Sequence, residues 1–470
     1  MVDTGGGKDF AGYHSEWNLG SPGGWYYQLM AQKLGEFLWE RVRRITGLRL
    51  PLVFDHPALD SPPRFRDMLY RGHELRWGRG EKPGIALLAE KETLDSVLEN
   101  RLMVEYLAGQ PDTEAVLAAP GELEIAGEGR FRVRDTVVTM IFCDFNNKTI
   151  VELERSGEAG ALSRAITGGL VINPRGMEPV GSKGIFEVAS GPLGKQLSVS
   201  TTGRTPWTRR FGPRKTAGPD CSLIADLVEW TRANWRQLVL KPEHGYSGQG
   251  VFVGLCREDR DQCIRTALEH GAYIVQELIP TGLWAELYPE LEPGENASIV
   301  LATRQTDFRC LISDAGLMGF VCRWGGIPTN VGMGGGTQAV ALIDGDPGAA
   351  AKKILEAMER MSSENFRELV EEVKELTVSH GLNYLDGPIP QAMRPRIISF
   401  QQLEALCRYS TALWQDCVKL ESWWRAGELG EYLTLEPEEE RIARLQPWGG
   451  TPALLASDGL YSFGADLLGG

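Results

Sequence analysis

Two β-rich runs joined by a glycine-containing loop, from Leu238 to Gly254, constrain the fold of this chain more than any other segment. Such runs on either side of a glycine loop predict a β-hairpin. Glycines at 245, 248 and 250 permit positive φ and close approach of a ligand, so exposed N–H groups can point at phosphate oxygens while Lys241 supplies a positive charge. We predict a phosphate-binding hairpin, and a purely structural hairpin with an incidental lysine is the alternative.

Two other ways of holding a nucleotide are excluded by the sequence. No GxxxxGK[ST] occurs, and Gly194-Lys195 is followed by Gln196 rather than by Ser or Thr. The glycine run that ends at Gly336 follows Asn330 as GxGGG and lacks the GxGxxG spacing of a dinucleotide-binding turn. Neither a P-loop nor a Rossmann turn is therefore expected.

A second strand is predicted about twenty residues after the hairpin, from Tyr273 to Ile279. It is apolar except for Gln276 and Glu277 at its middle. Buried polar groups need hydrogen-bond partners, so either a neighbouring strand or a ligand such as an adenine edge satisfies these two side chains.

The rest of the chain divides into segments of different pattern. Helical spacing of apolar residues predicts a helix over 25–45, and the proline-rich stretch 51–64 is predicted to be loop. Residues 84–147 show strand, helix, strand and strand, as in a small open α/β sheet. Further helices are predicted over 222–238, 259–270, 349–379 and 401–420, and the chain is predicted to end in a polar, glycine-rich stub.

Charge and composition restrict the partners of this 470-residue chain. Its net charge of −14 argues against a nucleic-acid partner, because phosphates demand a basic surface. It shows no apolar run long enough for a membrane span and no secretory signal at its start, so we expect a cytoplasmic protein without a membrane partner. Eight scattered cysteines without zinc-site spacing fit a reducing compartment.

The order of these motifs resembles the nucleotide-binding half of ATP-grasp enzymes. The segment from Leu170 to Lys183 resembles the one that carries a second ATP-binding lysine in that superfamily. The motifs that carry the resemblance are, in order, Lys183, Lys241 with its glycine loop, the strand with Gln276 and Glu277, Arg323, and Asn330 ahead of its glycine run.

The front of the chain resembles the Glu-x-Asn segment of the circularly permuted members, a group that includes the glutathionylspermidine synthetase-like ligases. Here it reads Glu16-Trp-Asn18-Leu-Gly-Ser-Pro-Gly-Gly. A spacing of two on a strand sends both oxygen ligands to one face, as a hard cation such as Mg²⁺ requires. Those members also carry an aspartate about a dozen residues earlier, and Asp3 stands at that distance here.

This resemblance implies an α+β fold of the ATP-grasp type, in which two α/β lobes grip ATP. The implied organisation is a permuted part with the metal motif at 1–80, a small pre-ATP-grasp-like lobe at 81–165, the nucleotide-binding lobes at 166–345 and a helical C-terminal region at 346–470. The implied cofactors are ATP and Mg²⁺. The implied ATP contacts are Lys183, Lys241, Gly245, Tyr246, Ser247, Gly248, Gly250, Gln276, Glu277 and Leu278, the metal contacts Glu16, Asn18 and Asp3, and the catalytic residues Arg323 and Asn330.

The implied reaction is ADP-forming ligation of a small-molecule carboxylate to an amine through an acyl phosphate. The sequence names neither the carboxylate nor the amine, and an amino acid, a peptide or a polyamine are all open as substrates. One alternative is a protein of the same fold that phosphorylates an alcohol or binds nucleotide without turnover. Another is a non-catalytic scaffold, in which the helical C-terminal region would present Trp414, Trp423 and Trp424 to a partner, although these rings could equally pack that region onto the core.

Overall fold

Helices and sheets are interleaved along the computed structural model, which describes residues 12–127, 129–245, 248–279, 285–294, 298–327, 329, 331, 334–384 and 387–458. This mixture confirms the predicted α+β class. The helices are α1 (Trp25–Thr46), α2 (Ser61–Trp77), α3 (Leu98–Ala108), α4 (Asn147–Ser156), α5 (Gly160–Thr167), α6 (Ile185–Ala189), α7 (Val199–Thr202), α8 (Leu227–Ala233), α9 (Arg260–His270), α10 (Pro347–Glu359), α11 (Ser363–Ser379), α12 (Phe400–Arg425) and α13 (Pro437–Leu445).

The strands form several separate sheets rather than one. In chain order they are β1 (Glu16–Leu19), β2 (Gly84–Leu88), β3 (Glu114–Ala118), β4 (Leu123–Gly127), β5 (Arg130–Val133), β6 (Thr136–Val138), β7 (Met140–Cys143), β8 (Thr208–Arg210), β9 (Thr216–Ala217), β10 (Leu223–Ile224), β11 (Leu238–Pro242), β12 (Phe252–Val253), β13 (Tyr273–Glu277), β14 (Ala285–Leu291), β15 (Ile299–Ser313), β16 (Gly316–Gly325), β17 (Gly336–Thr337), β18 (Val340–Ile343), β19 (Asn383–Tyr384), β20 (Gly387–Pro388), β21 (Arg396–Ser399) and β22 (Leu455–Asp458).

The largest sheet joins the two ends of the described chain. Its order is β1-β22-β15-β16-β17, with β14 also paired to β15. β22 pairs antiparallel with β1 on one side and with β15 on the other, and Glu16 stands directly opposite Asp458. Along β1, Trp17 and Leu19 are buried in the core, whereas Glu16 and Asn18 face the other way, as period-two alternation requires. The C-terminal residues predicted to be a stub therefore include a fully buried strand.

The predicted glycine hairpin is part of a second, four-stranded sheet of order β12-β11-β13-β8. β11 pairs antiparallel with β12 across the glycine loop, which confirms the hairpin. It also pairs with β13, so the predicted strand at residue 273 is confirmed as its neighbour. One face of this sheet packs with α8 and α9 around Leu240, Ile264 and Val275.

A parallel three-stranded sheet of order β3-β2-β7 lies in the region predicted to be a small α/β unit, with a meander of β4, β5 and β6 beside it. Its strand β2 is buried throughout, as parallel strands covered on both faces are. The next helical region leads through a 3₁₀ helix, Arg175–Gly181, to Lys183 and α6.

Three predicted boundaries were wrong, because helix-capping side chains or first-turn prolines set where the helices begin. The predicted loop 51–64 ends early, since α2 begins at Ser61 and tolerates prolines in its first turn. The predicted helix 222–238 is interrupted: it contains the strand β10, the short helix α8 and a 3₁₀ turn at 235–237. α8 starts late because the Asp226 side chain accepts from the amides of Val228 and Glu229. Ser362 caps α11 in the same way and divides the predicted helix 349–379.

Two of the three tryptophans of the C-terminal helix α12 are core residues. Trp414 and Trp424 are buried, and Trp423 packs against the same hydrophobic cluster. Trp414 meets the ring of Trp448 edge-on at 4.8 Å. Of these three rings Trp423 is the one that stays partly exposed, so they do not together form the aromatic surface that would favour a scaffold. None of the described helices has the length and apolarity to cross a membrane.

Candidate functional site

A cavity of about 470 Å³ opens where the two main sheets approach each other. The segment from Glu16 to Gly24 lies along it, and Lys183, Gly245, Arg309 and Arg323 line one end. This single cavity brings together predicted residues that are more than 200 positions apart in the sequence.

Lys183 connects the two halves of this site. Its Nζ donates to the carbonyl of Gly245 at 3.0 Å and lies 3.3 Å from an Oε of Glu16. Its side chain is only 10% exposed. Its backbone N–H also donates to the carbonyl of Glu243 at 3.0 Å, which ties the segment before α6 to the hairpin strand. One ammonium group thus contacts both the glycine loop and the first strand of the chain.

Lys241 lies on β11 beside the same group of charges. Its Nζ donates to Oε1 of Gln276 at 2.8 Å and to the carbonyl of Ser15 at 3.2 Å. The neighbouring strand therefore satisfies Gln276, which also donates to Thr208. Burial lowers the pKa of Lys241 to about 8, although the nearby carboxylate of Glu16 opposes that shift.

Two buried carboxylates near Glu16, from Asp307 and Asp458, are held by neighbouring strands. Asp458 on β22 accepts from Nδ2 of Asn18 at 2.6 Å and from Nη2 of Arg309 at 2.6 Å. On β15 and β16, Asp307 and Arg323 are cross-strand partners and form an ion pair. The side chain of Asp458 is 1% exposed, so the arginine contacts compensate a charge that is removed from water.

The electrostatic balance at Glu16 favours the ionised carboxylate. Burial alone would raise its pKa, but four cations outweigh burial and hold the pKa at about 2; these are Lys183, Lys241, Arg309 and Arg323. Burial raises the pKa of the Asp307 carboxyl, and the Arg323 guanidinium offsets only part of that rise. Glu16 is therefore charged across the physiological pH range.

The donor set formed by Glu16, Asn18 and Asp458 fits magnesium. All three side chains offer oxygen, the ligand that hard cations prefer, and the Asn18 amide oxygen is not used in its bond to Asp458. Within the described ranges, no group of three or more His, Cys, Asp and Glu residues is arranged to hold a metal. Magnesium in nucleotide sites needs only one or two carboxylates, because phosphates and waters supply the remaining ligands.

Another part of the cavity wall is acidic. Four carboxyl groups line it, from Glu90, Glu99, Asp144 and Glu178. Glu99 accepts from the amides of Gly24 and Tyr26 at 2.7 Å each and so caps the first turn of α1. In the described part of the chain none of the four forms an ion pair with Lys or Arg. Burial raises the pKa to about 7 for Glu99 and Glu178 and to about 6 for Asp144.

The other predicted site residues fall into two groups. Gly248 and Gly250 occupy the hairpin turn at φ values of 73° and 71°, which confirms the need for glycine there. Glu277 and Leu278 follow Gln276 at the end of β13, and the Leu278 amide donates to the Gln237 carbonyl. The predicted contacts Tyr246, Ser247, Asn330 and Asp3 lie outside the described residues.

Sequence reasoning missed three residues that the fold brings to this site: Asp307, Arg309 and Asp458. The spacing of two between Asp307 and Arg309, the same as in the Glu-x-Asn motif, was the available signal for the first pair. For Asp458 it was the apolar run of residues 453–456, which ends two positions before it and indicates a strand. The structure places Asp458 directly across from Glu16.

Neither a family model nor a curated protein matches this chain. Among solved structures, a glutathione synthetase-like effector from Globodera pallida is similar at 11% identity and a TM-score of 0.36, covering 67% of each chain. A RimK domain ATP-grasp protein from Sphaerobacter thermophilus is similar at 16% identity and a TM-score of 0.29, covering 58% of this chain and 81% of its own. Likeness at these TM-scores is too distant to assign a fold family.

Proposed function

We propose that this chain is an ATP-dependent carboxylate–amine ligase that forms an amide bond and releases ADP and phosphate. The observation that carries the proposal is the position of Lys183, whose ammonium contacts both Gly245 in the glycine hairpin and the carboxylate of Glu16. The γ-phosphate of a magnesium nucleotide needs a loop that binds phosphate oxygens and a carboxylate that binds Mg²⁺, and here one lysine contacts both.

The cationic end of the cavity would hold and neutralise the ATP phosphates. Lys183 and Lys241 supply point charges, and Arg309 and Arg323 add planar donors close to the carboxylates. Magnesium would be held by Glu16, Asn18 and Asp458, where it supplies electrostatic stabilisation of the charge that develops during phosphoryl transfer.

The carboxylate substrate would attack the γ-phosphorus of ATP, forming the new O–P bond of an acyl phosphate while the bond to ADP breaks. The nitrogen of the amine would then attack the carbonyl carbon, and phosphate would leave. Arg323, which lines the cavity, would stabilise the oxyanion of this second step. The amine must lose a proton, and the Glu178 carboxylate, whose pKa burial raises to about 7, is suited to accept it.

The acidic part of the cavity wall favours an amine over an alcohol as the acceptor. Carboxylates that are partly removed from water and lack an ion-pair partner are costly, so a positively charged ligand is the natural complement of Asp144 and Glu178, and Glu90 lines the cavity with them. An alcohol acceptor carries no charge and would gain nothing from this wall. This argument supports the ligase over a kinase of the same fold.

The proposal is tested by measuring ADP release from Mg²⁺-ATP with pools of carboxylates and with pools of amino acids, peptides and polyamines. We expect ADP release only when a carboxylate and an amine are both present. Hydroxylamine should trap the activated carboxylate as a hydroxamate. ADP release that depends on an alcohol, with no hydroxamate, would assign a kinase instead, and ATP binding without any turnover would assign a nucleotide-binding protein.

The affinity for ATP is expected to fall as the pH rises above about 8. ATP is polyanionic and favours the protonated form of Lys241, whose pKa in the free protein is lowered to about 8. Below that pH the lysine is already charged and affinity stays constant; above it, binding must take up a proton. Calorimetric dissociation constants between about pH 7.5 and 9.5, above the phosphate pKa of about 6, measure this directly. Lys241→Arg, which stays charged, should remove the decline, and an equal decline in that variant would contradict the assignment.

A further inference from the structure

A short segment of the C-terminal region, residues 431–434, runs between α12 and α13 and contacts the back of the candidate phosphate site. Leu433 is buried, and Leu429 shortly before the segment is fully buried. Both belong to the hydrophobic cluster that contains Ile185 and Phe186 of α6. The 431–434 segment is thus anchored in the core beside the helix that follows Lys183.

The segment is hydrogen-bonded to the hairpin strand. The amide of Thr434 donates to Oε1 of Glu243 at 3.0 Å, and the carbonyl of Thr434 lies 2.5 Å from Nε2 of His244. Glu243 and His244 directly precede Gly245, the first glycine of the loop. The backbone of a single residue, Thr434, therefore fixes both residues that lead into the glycine loop.

The 431–434 segment is also hydrogen-bonded to β8, the edge strand of the four-stranded hairpin sheet. Arg210 at the end of β8 donates through Nη1 to the carbonyl of Glu431 at 2.7 Å and through Nη2 to Oγ1 of Thr434 at 2.6 Å. Its backbone amide donates to an Oε of Glu187 on α6 at 2.6 Å. Two strands of the hairpin sheet and α6 thus meet at the 431–434 segment.

The packing around Gly184 leaves no free space between these parts. A Cβ at Gly184 would lie 2.3 Å from the carbonyl of Tyr432 and 2.3 Å from Oε1 of Glu243. Its neighbour Lys183 donates its amide to the Glu243 carbonyl. A shift of the 431–434 segment or of Glu243 would therefore be transmitted to Lys183.

Glu243 is an unusual residue to find at this position. Its side chain is fully buried, its Oε2 has no hydrogen-bond partner among the described residues, and Arg210 Nε is 3.8 Å away. A buried and only loosely paired carboxylate costs stability. Its Oε1 accepts from the Thr434 amide and its main-chain carbonyl accepts from the Lys183 amide. These two bonds indicate that Glu243 positions Lys183 rather than stabilises the fold.

We propose that Glu243 is a positioning residue, through which the 431–434 segment sets the placement of Lys183 and of the entry to the glycine loop. This inference rests on the proposed function for its consequence, because the displaced groups are the ones proposed to hold the ATP phosphates. The geometric part of the inference does not depend on any nucleotide.

The test combines hydrogen exchange without nucleotide with calorimetry of ATP, using full-length protein. In Glu243→Ala the amides of residues 183–187 and 241–245 should exchange about tenfold faster or more, since a buried hydrogen bond to a charged group is lost. Amides of β2, in another sheet, should not change. ATP affinity should fall by about tenfold. Glu243→Gln keeps an oxygen that can accept from Thr434 and should therefore restore most of that affinity. If Glu243 acted only through its charge on Arg210, Glu243→Gln would lose that charge and the affinity would stay low.

Arg210→Ala provides a second route if Glu243→Ala does not fold, because it removes two bonds to the segment from the opposite strand. Glu258→Ala, an exposed residue before α9, is the matched control and should match the wild type in both measurements. Unchanged exchange at 183–187 and 241–245 in both Glu243→Ala and Arg210→Ala would overturn the positioning role, even if ATP binds. Faster exchange in a protein whose wild type binds no ATP would uphold it and refute the proposed function instead.

Discussion

Glu16→Gln and Asp458→Asn are each expected to lower magnesium-dependent ADP release by a hundredfold or more, roughly the effect of losing several kcal/mol of metal-based stabilisation. Each change removes a carboxylate charge from one of two paired strands while leaving Lys183 and Lys241 in place. Asn18→Ala should have a smaller effect, because a neutral oxygen ligand is lost. Steady-state turnover as a function of Mg²⁺ concentration measures the three variants.

The experiment separates loss of magnesium-dependent turnover from loss of ATP affinity. Without magnesium, ATP affinity in Glu16→Gln should not fall, since the phosphate-facing cations keep their charge. Asp314→Asn is the matched control: it makes the same chemical change at the turn between β15 and β16, where Asp314 pairs with Arg71 at the surface. Magnesium dependence in Glu16→Gln equal to that of the wild type would remove the metal from this end of the cavity.

Lys241→Ala and Lys183→Ala are each expected to weaken ATP binding by about tenfold to a hundredfold, the equivalent of roughly 1.5–3 kcal/mol for a charge-assisted hydrogen bond. Lys183→Ala should have the larger effect on turnover, because the Lys183 ammonium contacts both Gly245 of the glycine loop and Glu16. Isothermal titration calorimetry gives the affinities.

Lys215→Ala serves as the control for this pair, since Lys215 is exposed on the connection between β8 and β9. It removes the same charge from the same sheet region and should leave ATP affinity unchanged. Should neither Lys183→Ala nor Lys241→Ala differ from Lys215→Ala, the nucleotide cannot lie against the glycine hairpin.

The local sequence pattern was sufficient to predict the β11–β12 hairpin and the strand β1 that carries Glu16 and Asn18. Alternation and glycine placement determined β11, β12 and the turn at Gly248 and Gly250, because positive φ is a property of single residues. The spacing of Glu16 and Asn18 likewise determined that both side chains leave β1 on one face. Helix α1 follows from its own apolar spacing.

Tertiary structure alone decided which charges meet. Asp458 reaches Glu16 because β22 inserts between β1 and β15, a pairing across more than 440 residues that no local pattern encodes. The contact of the 431–434 segment with Glu243 and Arg210 has the same origin. Strand pairing and side-chain burial depend on the free energy of the whole packed core, whereas turn and alternation preferences depend on neighbouring residues only. The sequence by itself therefore determined the pieces of the candidate site, and the fold determined its charge balance and brought Asp458 beside Glu16.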